Sequence, residues 1–273
     1  METYKIVCID IDGTLLNSAH QITEATKETI LQVINDKQIP VVLVSARMPK
    51  AIIPLQKHLG ISEPLICYSG ALVIDKHGNK LNTRYIDKKM TQCLLDSLAE
   101  YDLHVSLYKD DEWYIEQLDA WALQERDITN IEPRIYSFSK LTSGWREETD
   151  GTSKILCMGD PEEIRRVLQV LRPLYGEEVN LYLSKPTYLE IMSKKASKTA
   201  AIQILLKEYQ LKQSDCLAMG DNYNDIDMLA FAGLGIAMEN APLEVKAAAN
   251  TVTLSNDEDG VAHALKNHIL FPK

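Results

Sequence analysis

Two carboxylates stand two residues apart in the segment Asp10–Thr14, which reads Asp-Ile-Asp-Gly-Thr and directly follows the apolar run Ile6–Ile9. An apolar run that gives way to Asp and Gly predicts a strand that ends in a turn. In an open α/β sheet, ligands bind beyond the carboxyl ends of the strands. One carboxylate could therefore attack an electrophile while the other transfers a proton. A plain turn is the alternative, whereas a calcium loop is excluded because two leucines stand where further oxygen ligands are required.

Three other polar segments resemble Asp10–Thr14 in position, because each follows an apolar run or opens a helix. Ser45–Arg47 follows the apolar run Val41–Val44, Gly220–Asp225 follows Leu217–Met219, and Lys198 opens an amphipathic helical pattern. Each has an ordinary structural interpretation on its own: a helix cap, a polar turn or a solvated surface lysine. Because the carboxyl ends of parallel strands meet at one edge of a sheet, the four segments together predict a single site.

That edge would bring together four aspartates, which are Asp10, Asp12, Asp221 and Asp225. Carboxylates so close cannot all stay ionised unless a cation neutralises them. Magnesium fits, because it takes one or two carboxylates, keeps waters and bridges to a phosphate oxygen. A hydroxyl, an ammonium and an amide would then surround a bound phosphoryl group, supplied by Ser45, Lys198 and Asn224.

The elements around these residues predict an α/β fold. Strands at 4–9 and 41–45 alternate with helices at 23–36 and 49–60, and the same rhythm resumes after 190 with helices at 197–209 and 225–231 and strands at 215–219 and 234–237. Such alternation is typical of a parallel sheet covered on both faces. The intervening segment instead pairs short strands, at 104–108, 113–116, 135–138, 155–158 and 179–183, with helices at 90–101, 119–127 and 161–174. We therefore predict a parallel-sheet core of residues 1–83 and 188–273, with an inserted α+β domain at 84–187.

Composition narrows the class of protein. With 273 residues, 45% of them hydrophobic, the chain is long enough for two domains, and its net charge of −10 argues against a nucleic-acid partner. No apolar stretch approaches the roughly 18 residues that a membrane span needs. The start of the chain, Met1–Lys5, lacks the basic and apolar regions of a signal peptide. Five cysteines without metal-ligand spacing fit a reducing compartment, so we predict a cytoplasmic protein. The oligomeric state cannot be predicted from these patterns.

The motifs resemble those of a known family. Asp10–Leu15, the Ser45 turn, Lys198 and Gly220–Asp225 are similar to the four motifs of the haloacid dehalogenase superfamily, in its Cof-type sugar-phosphatase branch with a large α/β cap. The resemblance spans the chain and extends to three further segments, Ser69–Ala71, Ala237–Ala241 and Asp257–Ala262. The chain departs from the family pattern in loops: Ser45-Ala46 replaces Thr-Gly, Ser69 replaces Asn, and Lys195 and Thr199 replace glycines.

The resemblance implies a Rossmann-like core with an inserted cap, and a role for each motif residue. Asp10 attacks phosphorus and binds Mg²⁺, while Asp12 protonates the leaving oxygen, later activates water, and turns its backbone carbonyl toward the metal. Asp221 completes the protein ligands. The implied phosphoryl-binding groups are the side chains of Ser45, Lys198 and Asn224 and the backbone N–H groups of Ile11 and Ala46. Behind these groups lie Asp225, which orients Lys198 or a metal-bound water, and Arg47.

These inferences predict a magnesium-dependent phosphatase that hydrolyses small phosphorylated metabolites, such as sugar phosphates or a phosphorylated cofactor, through an aspartyl-phosphate. One alternative is a sugar phosphomutase of the same fold, which would need basic cap residues for a second phosphate; the candidates are Arg84, Arg126, Arg134, Arg165 and Arg166. The other is a non-catalytic receiver module controlled by phosphorylation. The inserted domain and the second acid, Asp12, argue against that module.

Overall fold

The computed structural model describes residues 4–272 and divides them into two compact units. The first unit contains the chain up to Arg47, Ile52–Asn82 and the chain from Ser197 onward, and the second contains Met48–Ala51 and Thr83–Ala196. Met1–Thr3, which carry part of the signal-peptide prediction, lie outside the described residues, as does Lys273.

The first half of the first unit alternates strands and helices. Its elements are β1 (Ile6–Asp10), α1 (Glu24–Lys37), β2 (Val41–Val44), α2 (Pro49–Leu59), β3 (Leu65–Cys67), β4 (Leu72–Ile74) and β5 (Lys80–Thr83). β1 and β2 are buried at every position, which is why they read as continuous apolar runs. α1 begins where the Thr23 hydroxyl accepts a hydrogen bond from the Thr26 amide, and it ends at Gln38 in the left-handed conformation.

The second unit forms its own α+β structure. Its elements are β6 (Ile86–Asp87), α3 (Lys88–Leu98), β7 (His104–Lys109), β8 (Glu112–Ile115), α4 (Ala120–Thr129), β9 (Arg134–Ile135), α5 (Phe138–Ser143), β10 (Gly151–Thr152), β11 (Lys154–Met158), α6 (Pro161–Tyr175), β12 (Val179–Lys185) and β13 (Tyr188–Ser193). Among the described residues, six strands form a sheet in the order β12-β13-β11-β7-β8-β9. α3 and α6 pack their apolar side chains against Leu107, Ile155 and Ile191 of this sheet.

Two parts of the second unit differ from the sequence prediction. The predicted strand at 135–138 ends at Ile135, and Phe138 instead opens α5, where its amide donates to Glu116 Oε1 at 2.8 Å. The predicted end of the insertion at 187 falls short, because β13 pairs with β11 and β12. β13 carries a buried charge, Glu190, that interrupts its apolar pattern and forms an ion pair with Lys154 at 3.3 Å.

The second half of the first unit completes the parallel sheet. Its elements are α7 (Lys198–Glu208), β14 (Cys216–Gly220), α8 (Ile226–Phe231), β15 (Leu234–Ala237), α9 (Leu243–Ala248), β16 (Thr251–Val252) and α10 (Gly260–Leu265). Within the described chain, eight strands lie in the order β16-β15-β14-β1-β2-β3-β4-β5, and those from β16 to β3 are parallel. The connections run outward from β1 in both directions, so the strand order reverses there, and such a point is where α/β sheets bind ligands.

The longest helix, α6, has 15 residues and is amphipathic. The Asp160 side chain caps it and Pro161 occupies its first turn, while Ile164, Val167 and Leu171 form its buried face. Across residues 4–272 the structure has no helix with the length and apolarity that a bilayer span requires.

Candidate active site

The carboxylate of Asp10 and the ammonium of Lys198 meet at the carboxyl end of β1. Asp10 is the last residue of β1 and is 7% exposed. Lys198 is the first residue of α7, which the Ser197 hydroxyl caps by accepting from the Ala200 amide at 3.0 Å. Lys198 Nζ donates hydrogen bonds to Asp10 Oδ1 and, at 2.6 Å, to Asp225 Oδ1. The cap of α7 therefore fixes the point from which the lysine reaches both carboxylates.

Asp225 connects Lys198 to the loop that follows β14 through hydrogen bonds. It is fully buried, and its Oδ2 accepts the backbone N–H groups of Asp221 at 3.1 Å and Asn222 at 3.0 Å. A Cβ on Gly220 would lie 2.5 Å from Asp225 Cγ, so a glycine is required for this approach. Burial alone would lower the pKa of Lys198, but the negative charges of Asp10 and Asp225 raise it above its usual value. The lysine is thus a fixed positive charge.

Asp221 faces the turn that follows Asp10. The Thr14 hydroxyl donates to Asp221 Oδ1 at 2.7 Å. Gly13 has a φ of +84°, and a Cβ there would lie 2.3 Å from Asp221 Oδ2. The Gly-Thr pair of the motif therefore has a structural explanation. Gly13 leaves space for the Asp221 carboxylate, and Thr14 orients that carboxylate through its hydrogen bond.

The carboxylate oxygens fit a hard cation. One ligand atom from each of Asp10, Asp221 and Asp225 lies within 4.8 Å of the others. Burial raises the pKa of Asp10 well above its usual value, with Asp225 and Asp221 adding to the effect and Lys198 opposing it. Burial, followed by the charge of Asp225, raises the pKa of Asp221 to about 6. Both oxygens of Asp225 already accept hydrogen bonds, so Asp10 and Asp221 are the carboxylates with an oxygen available to Mg²⁺.

Asp12 and Ser45 are connected through Arg47. The guanidinium of Arg47 binds both oxygens of the exposed Asp12 carboxylate, from Nε at 2.9 Å and from Nη2 at 2.6 Å. The Ser45 hydroxyl accepts the Arg47 backbone N–H at 3.1 Å, and Ser45 is 2% exposed. A bidentate pair fixes the direction of a carboxylate as well as its charge. The turn after β2 therefore orients Asp12.

The remaining predicted residues lie in the same loops. Ile11 is buried in the turn after β1, where its carbonyl accepts the amides of Thr14 and Leu16. Ala46 is half-buried between Ser45 and Arg47. Asn224 lies exposed on the 3₁₀ turn Tyr223–Asp225.

The sequence prediction assigned no role to a group of residues that hold the loop after β1. Asn240 Nδ2 donates to the Gly13 carbonyl at 2.8 Å, and Asn256 Nδ2 donates to the Leu16 carbonyl at 2.9 Å. Asp257 accepts the amide and hydroxyl of Ser18 at 2.8 and 2.7 Å. The only sequence signal was that two of these residues fall in segments resembling the family, Ala237–Ala241 and Asp257–Ala262.

Comparison with known proteins gives one consistent result. The sequence profile of the haloacid dehalogenase-like hydrolases matches residues 7–265. A Haemophilus influenzae protein is 34% identical over 272 residues, which cover 99% of each chain. The phosphatase YwpJ of Bacillus subtilis is 30% identical over 97% of this chain and 100% of its own.

The fold is similar to solved structures as well. The crystal structure of TM0651 from Thermotoga maritima superposes with a TM-score of 0.86, at 29% identity and over 97% of each chain. The predicted family, the α/β fold class with a parallel-sheet core and the enzyme class of a hydrolase acting on phosphate esters are confirmed by these similarities. The chain belongs to the haloacid dehalogenase-like hydrolases.

Proposed function

We propose that this protein is a magnesium-dependent phosphatase that hydrolyses small phosphorylated metabolites, such as sugar phosphates or a phosphorylated cofactor, through an aspartyl-phosphate on Asp10. The observation that carries the proposal is the contact of a buried lysine with the carboxylate at the end of β1. A carboxylate nucleophile must remain ionised in a site that also receives a phosphate dianion. Lys198, fixed by Asp225, supplies positive charge for both.

In the first step, a carboxylate oxygen of Asp10 forms a bond to phosphorus as the bond from phosphorus to the ester oxygen breaks. The departing oxygen takes a proton from Asp12. In the second step, Asp12 removes a proton from water, the water oxygen attacks the phosphorus of the aspartyl-phosphate, and the Asp10 carboxylate is released with inorganic phosphate. Asp12 thus acts as acid and then as base, which requires a carboxyl close to the nucleophile and fixed in direction. In the structure Arg47 occupies both oxygens of Asp12, so the proposal requires this ion pair to open when the substrate binds.

The remaining loops would hold the phosphoryl oxygens. Ser45, Lys198, Asn224 and the backbone N–H groups of Ile11 and Ala46 are the donors in this proposal. Asp10, Asp221 and the Asp12 carbonyl would hold Mg²⁺, which when bound neutralises charge on the phosphoryl oxygens. Positioning and charge neutralisation are most of what phosphoryl transfer requires. The adjacent carboxylates of the buried Asp10 and the half-buried Asp221 support a cation at this place.

The phosphomutase alternative has less support. It requires arginines of the inserted segment to bind a second phosphate, and three of the candidates are paired with carboxylates instead. Arg126 pairs with Asp127 at 3.1 Å, Arg134 with Glu112 at 2.7 Å, and Arg166 with Glu163 at 3.1 Å. No specific contact favours the phosphomutase over the phosphatase.

The proposal is tested by turnover of a panel of sugar phosphates, nucleotides and phosphorylated cofactors. We expect hydrolysis that stops with a chelator, returns with Mg²⁺ and is poorly supported by Ca²⁺, which prefers more ligands and a looser geometry. Asp10→Asn should abolish turnover because the amide is not a nucleophile. Full turnover in the chelator would refute the metal assignment, and wild-type turnover by Asp10→Asn would refute the aspartyl-phosphate.

A further inference from the structure

The loop between β3 and β4 has an unusual backbone. Tyr68, Ser69 and Gly70 have φ values of 50°, 50° and 99°, and all three residues are buried. Residues with a Cβ seldom adopt positive φ, and two in succession are rarer still. Such a conformation persists only when its surroundings hold it, and it is concentrated at functional sites.

Two parts of the candidate active site hold this loop. The Ser69 amide donates to the Ser45 carbonyl at 2.8 Å, and the Tyr68 amide donates to the Arg47 carbonyl at 3.1 Å. On the other side, a Cβ on Gly70 would lie 2.1 Å from the carbonyl oxygen of Ser197, the residue before Lys198. Ser69 therefore lies between the serine turn and the start of α7, the two elements that carry proposed phosphoryl-binding side chains.

The Ser69 hydroxyl has no partner among the described residues. Ser69 is 7% exposed, and its Oγ is buried without a hydrogen bond. A buried hydroxyl that makes no hydrogen bond destabilises the folded chain, and buried polar atoms are nearly always paired. Strain and an unpaired hydroxyl at the same residue both oppose folding. Both are accounted for if a ligand completes the site.

We propose that Ser69 is a substrate-binding residue whose hydroxyl donates a hydrogen bond to a phosphoryl oxygen of the bound phosphate ester. The inference rests on the proposed phosphatase function and adds a donor to it. A serine hydroxyl is the right group, because it rotates to meet an anionic oxygen, and hydrogen bonds to charged acceptors are the stronger ones. The loop conformation holds the backbone of Ser69 beside the Ser45 turn, and that of Gly70 beside the start of α7, before the substrate arrives.

The experiment measures inhibition of the full-length, Mg²⁺-loaded enzyme by inorganic phosphate, with p-nitrophenyl phosphate as substrate. In Ser69→Ala we expect the inhibition constant for phosphate and the KM to rise about tenfold together, with kcat within about threefold of wild type. The unfolding temperature of the phosphate-free protein should not fall, because the lost hydroxyl had no partner. A purely structural serine would show the reverse: lower stability and unchanged phosphate inhibition.

A second variant separates the hydroxyl from the backbone. Ser69→Gly also removes the hydroxyl but adopts a φ of 50° without strain, so we expect the same rise in the phosphate inhibition constant as in Ser69→Ala. Ser153→Ala is the matched control, since this buried hydroxyl already accepts the Asp110 amide at 3.1 Å. The control should lose stability and keep its phosphate inhibition constant.

Three outcomes would overturn the proposal. The first is an unchanged inhibition constant for phosphate in both Ser69 variants, and the second is an inhibition constant that rises in only one of the two. The third is a rise in KM without a change in the inhibition constant, which would place the hydroxyl on the leaving group. Failure of the phosphatase proposal would look different, because the wild-type enzyme would then lack turnover and the Ser69 variants would have no activity to lose.

Discussion

Asp225 is the residue at which folding and chemistry depend on the same contacts. It accepts hydrogen bonds from Lys198 and from two backbone amides, and it is fully buried. In Asp225→Asn the new amide group must turn an N–H toward one of these donors. A buried lysine would then retain one carboxylate partner, Asp10, where it had two.

We predict that Asp225→Asn lowers the free energy of unfolding by about 3 kcal/mol, the order found when a buried ion pair loses one partner. Urea denaturation at pH 7 measures this change. The rate should fall as well, because Lys198 is no longer held in position. Asp227→Asn is the matched control, since it makes the same substitution two residues away on α8, outside the contacts of Lys198. Equal stability of both variants would show that the pairing with Lys198 contributes little.

The proposed acid and base, Asp12, allows a separate prediction. Asp12→Asn should keep the KM near that of the wild type while kcat falls on the order of 10²–10⁴-fold, the range for general acid and base catalysis. The defect should be smaller for an aryl phosphate, whose leaving oxygen needs less protonation. A comparison of alkyl and aryl phosphates therefore measures the acid role. Equal losses on both classes would assign Asp12 to the water-activating step alone.

At the scale of elements, the loop after β1 is held by the chain beyond β15. Asn240 donates to the Gly13 carbonyl, and Asn256 donates to the Leu16 carbonyl. Gly13 and Thr14 in turn contact Asp221. The Asn240 amide therefore acts on the site only through the loop, as a positioning residue.

We predict that Asn240→Ala lowers kcat about tenfold and leaves the KM nearly unchanged, because small displacements of reacting groups reduce the rate more than binding. Steady-state kinetics over a range of substrate concentrations separates the two constants. Asn240→Asp should behave in the same way, since a carboxylate cannot donate to the Gly13 carbonyl. Asn267→Ala, at an exposed asparagine of the π-helical turn Lys266–Leu270, is the control. A rise in KM alone would indicate a substrate contact instead.

The inserted segment contains a charge cluster with a defined pH response. Lys109 Nζ lies over the rings of Tyr85 and Trp145, at 4.7 and 4.9 Å from their centroids, and binds Asp150 at 2.9 Å. The Arg146 amide, followed by Lys109, lowers the pKa of Asp150 to about 2. A carboxyl whose pKa is lowered by folding stabilises the folded state above its unfolded pKa, and this contribution is lost as pH falls toward its folded pKa.

Asp150→Asn should therefore be less stable than the wild type at pH 7. The difference between the two proteins should shrink as the pH falls from about 4 toward about 2. Urea midpoints measured at several pH values check this behaviour. Asp127→Asn, at an exposed carboxylate paired with the adjacent Arg126, should show almost no difference at any pH. A difference for Asp150→Asn that stays constant down to pH 2 would contradict the assignment.

Whether a helix or strand could be predicted from the sequence depends on whether the residues that mark it are neighbours in the chain. β1 and β2 were predictable because strands that are buried throughout read as short apolar runs. α7 was predictable because its capping serine, Ser197, directly precedes it. α5 was missed because the long-range bond from Phe138 to Glu116 helps to start it. β13 was missed because the charge of Glu190 is tolerated only beside Lys154, a residue distant in sequence.

In the candidate site, too, the features marked by neighbouring residues were predictable and the contacts between distant residues were not. The motifs predicted where Asp10, Lys198, Asp221 and Asp225 would lie, since each directly follows a strand or opens a helix or turn. They did not predict the contact of Asn240 with the Gly13 carbonyl, which joins residues 227 positions apart. Nor could they predict the unpaired hydroxyl of Ser69, because pairing is a property of the folded chain.

At the scale of the whole molecule, each unit has a hydrophobic core of its own. In the first, the core includes Val42 and Val44 of β2 together with Ile202 and Leu205 of α7. In the second, it is built from the six-stranded sheet with α3 and α6. The proposed phosphoryl-binding residues all belong to the first unit. In the proposal they contact only the phosphoryl group, which all substrates share. We therefore expect the second unit to select the leaving group.

This expectation is tested by replacing residues 84–195 with a short Gly/Ser linker, a wider excision than the predicted insertion because β13 belongs to the second sheet. We predict that full-length protein differs at least about tenfold in kcat/KM among sugar phosphates, the scale of pocket contacts worth ~1–3 kcal/mol. The shortened protein should lose these differences and retain some hydrolysis of an aryl phosphate.

Two controls make the comparison decisive. Circular dichroism and a cooperative unfolding transition must show that the shortened protein folds, and Asp10→Asn in the same background must abolish the remaining hydrolysis, so that the activity is assigned to the site at the end of β1. If the folded, shortened protein ranks the substrates as the full-length protein does, selectivity belongs to the first unit.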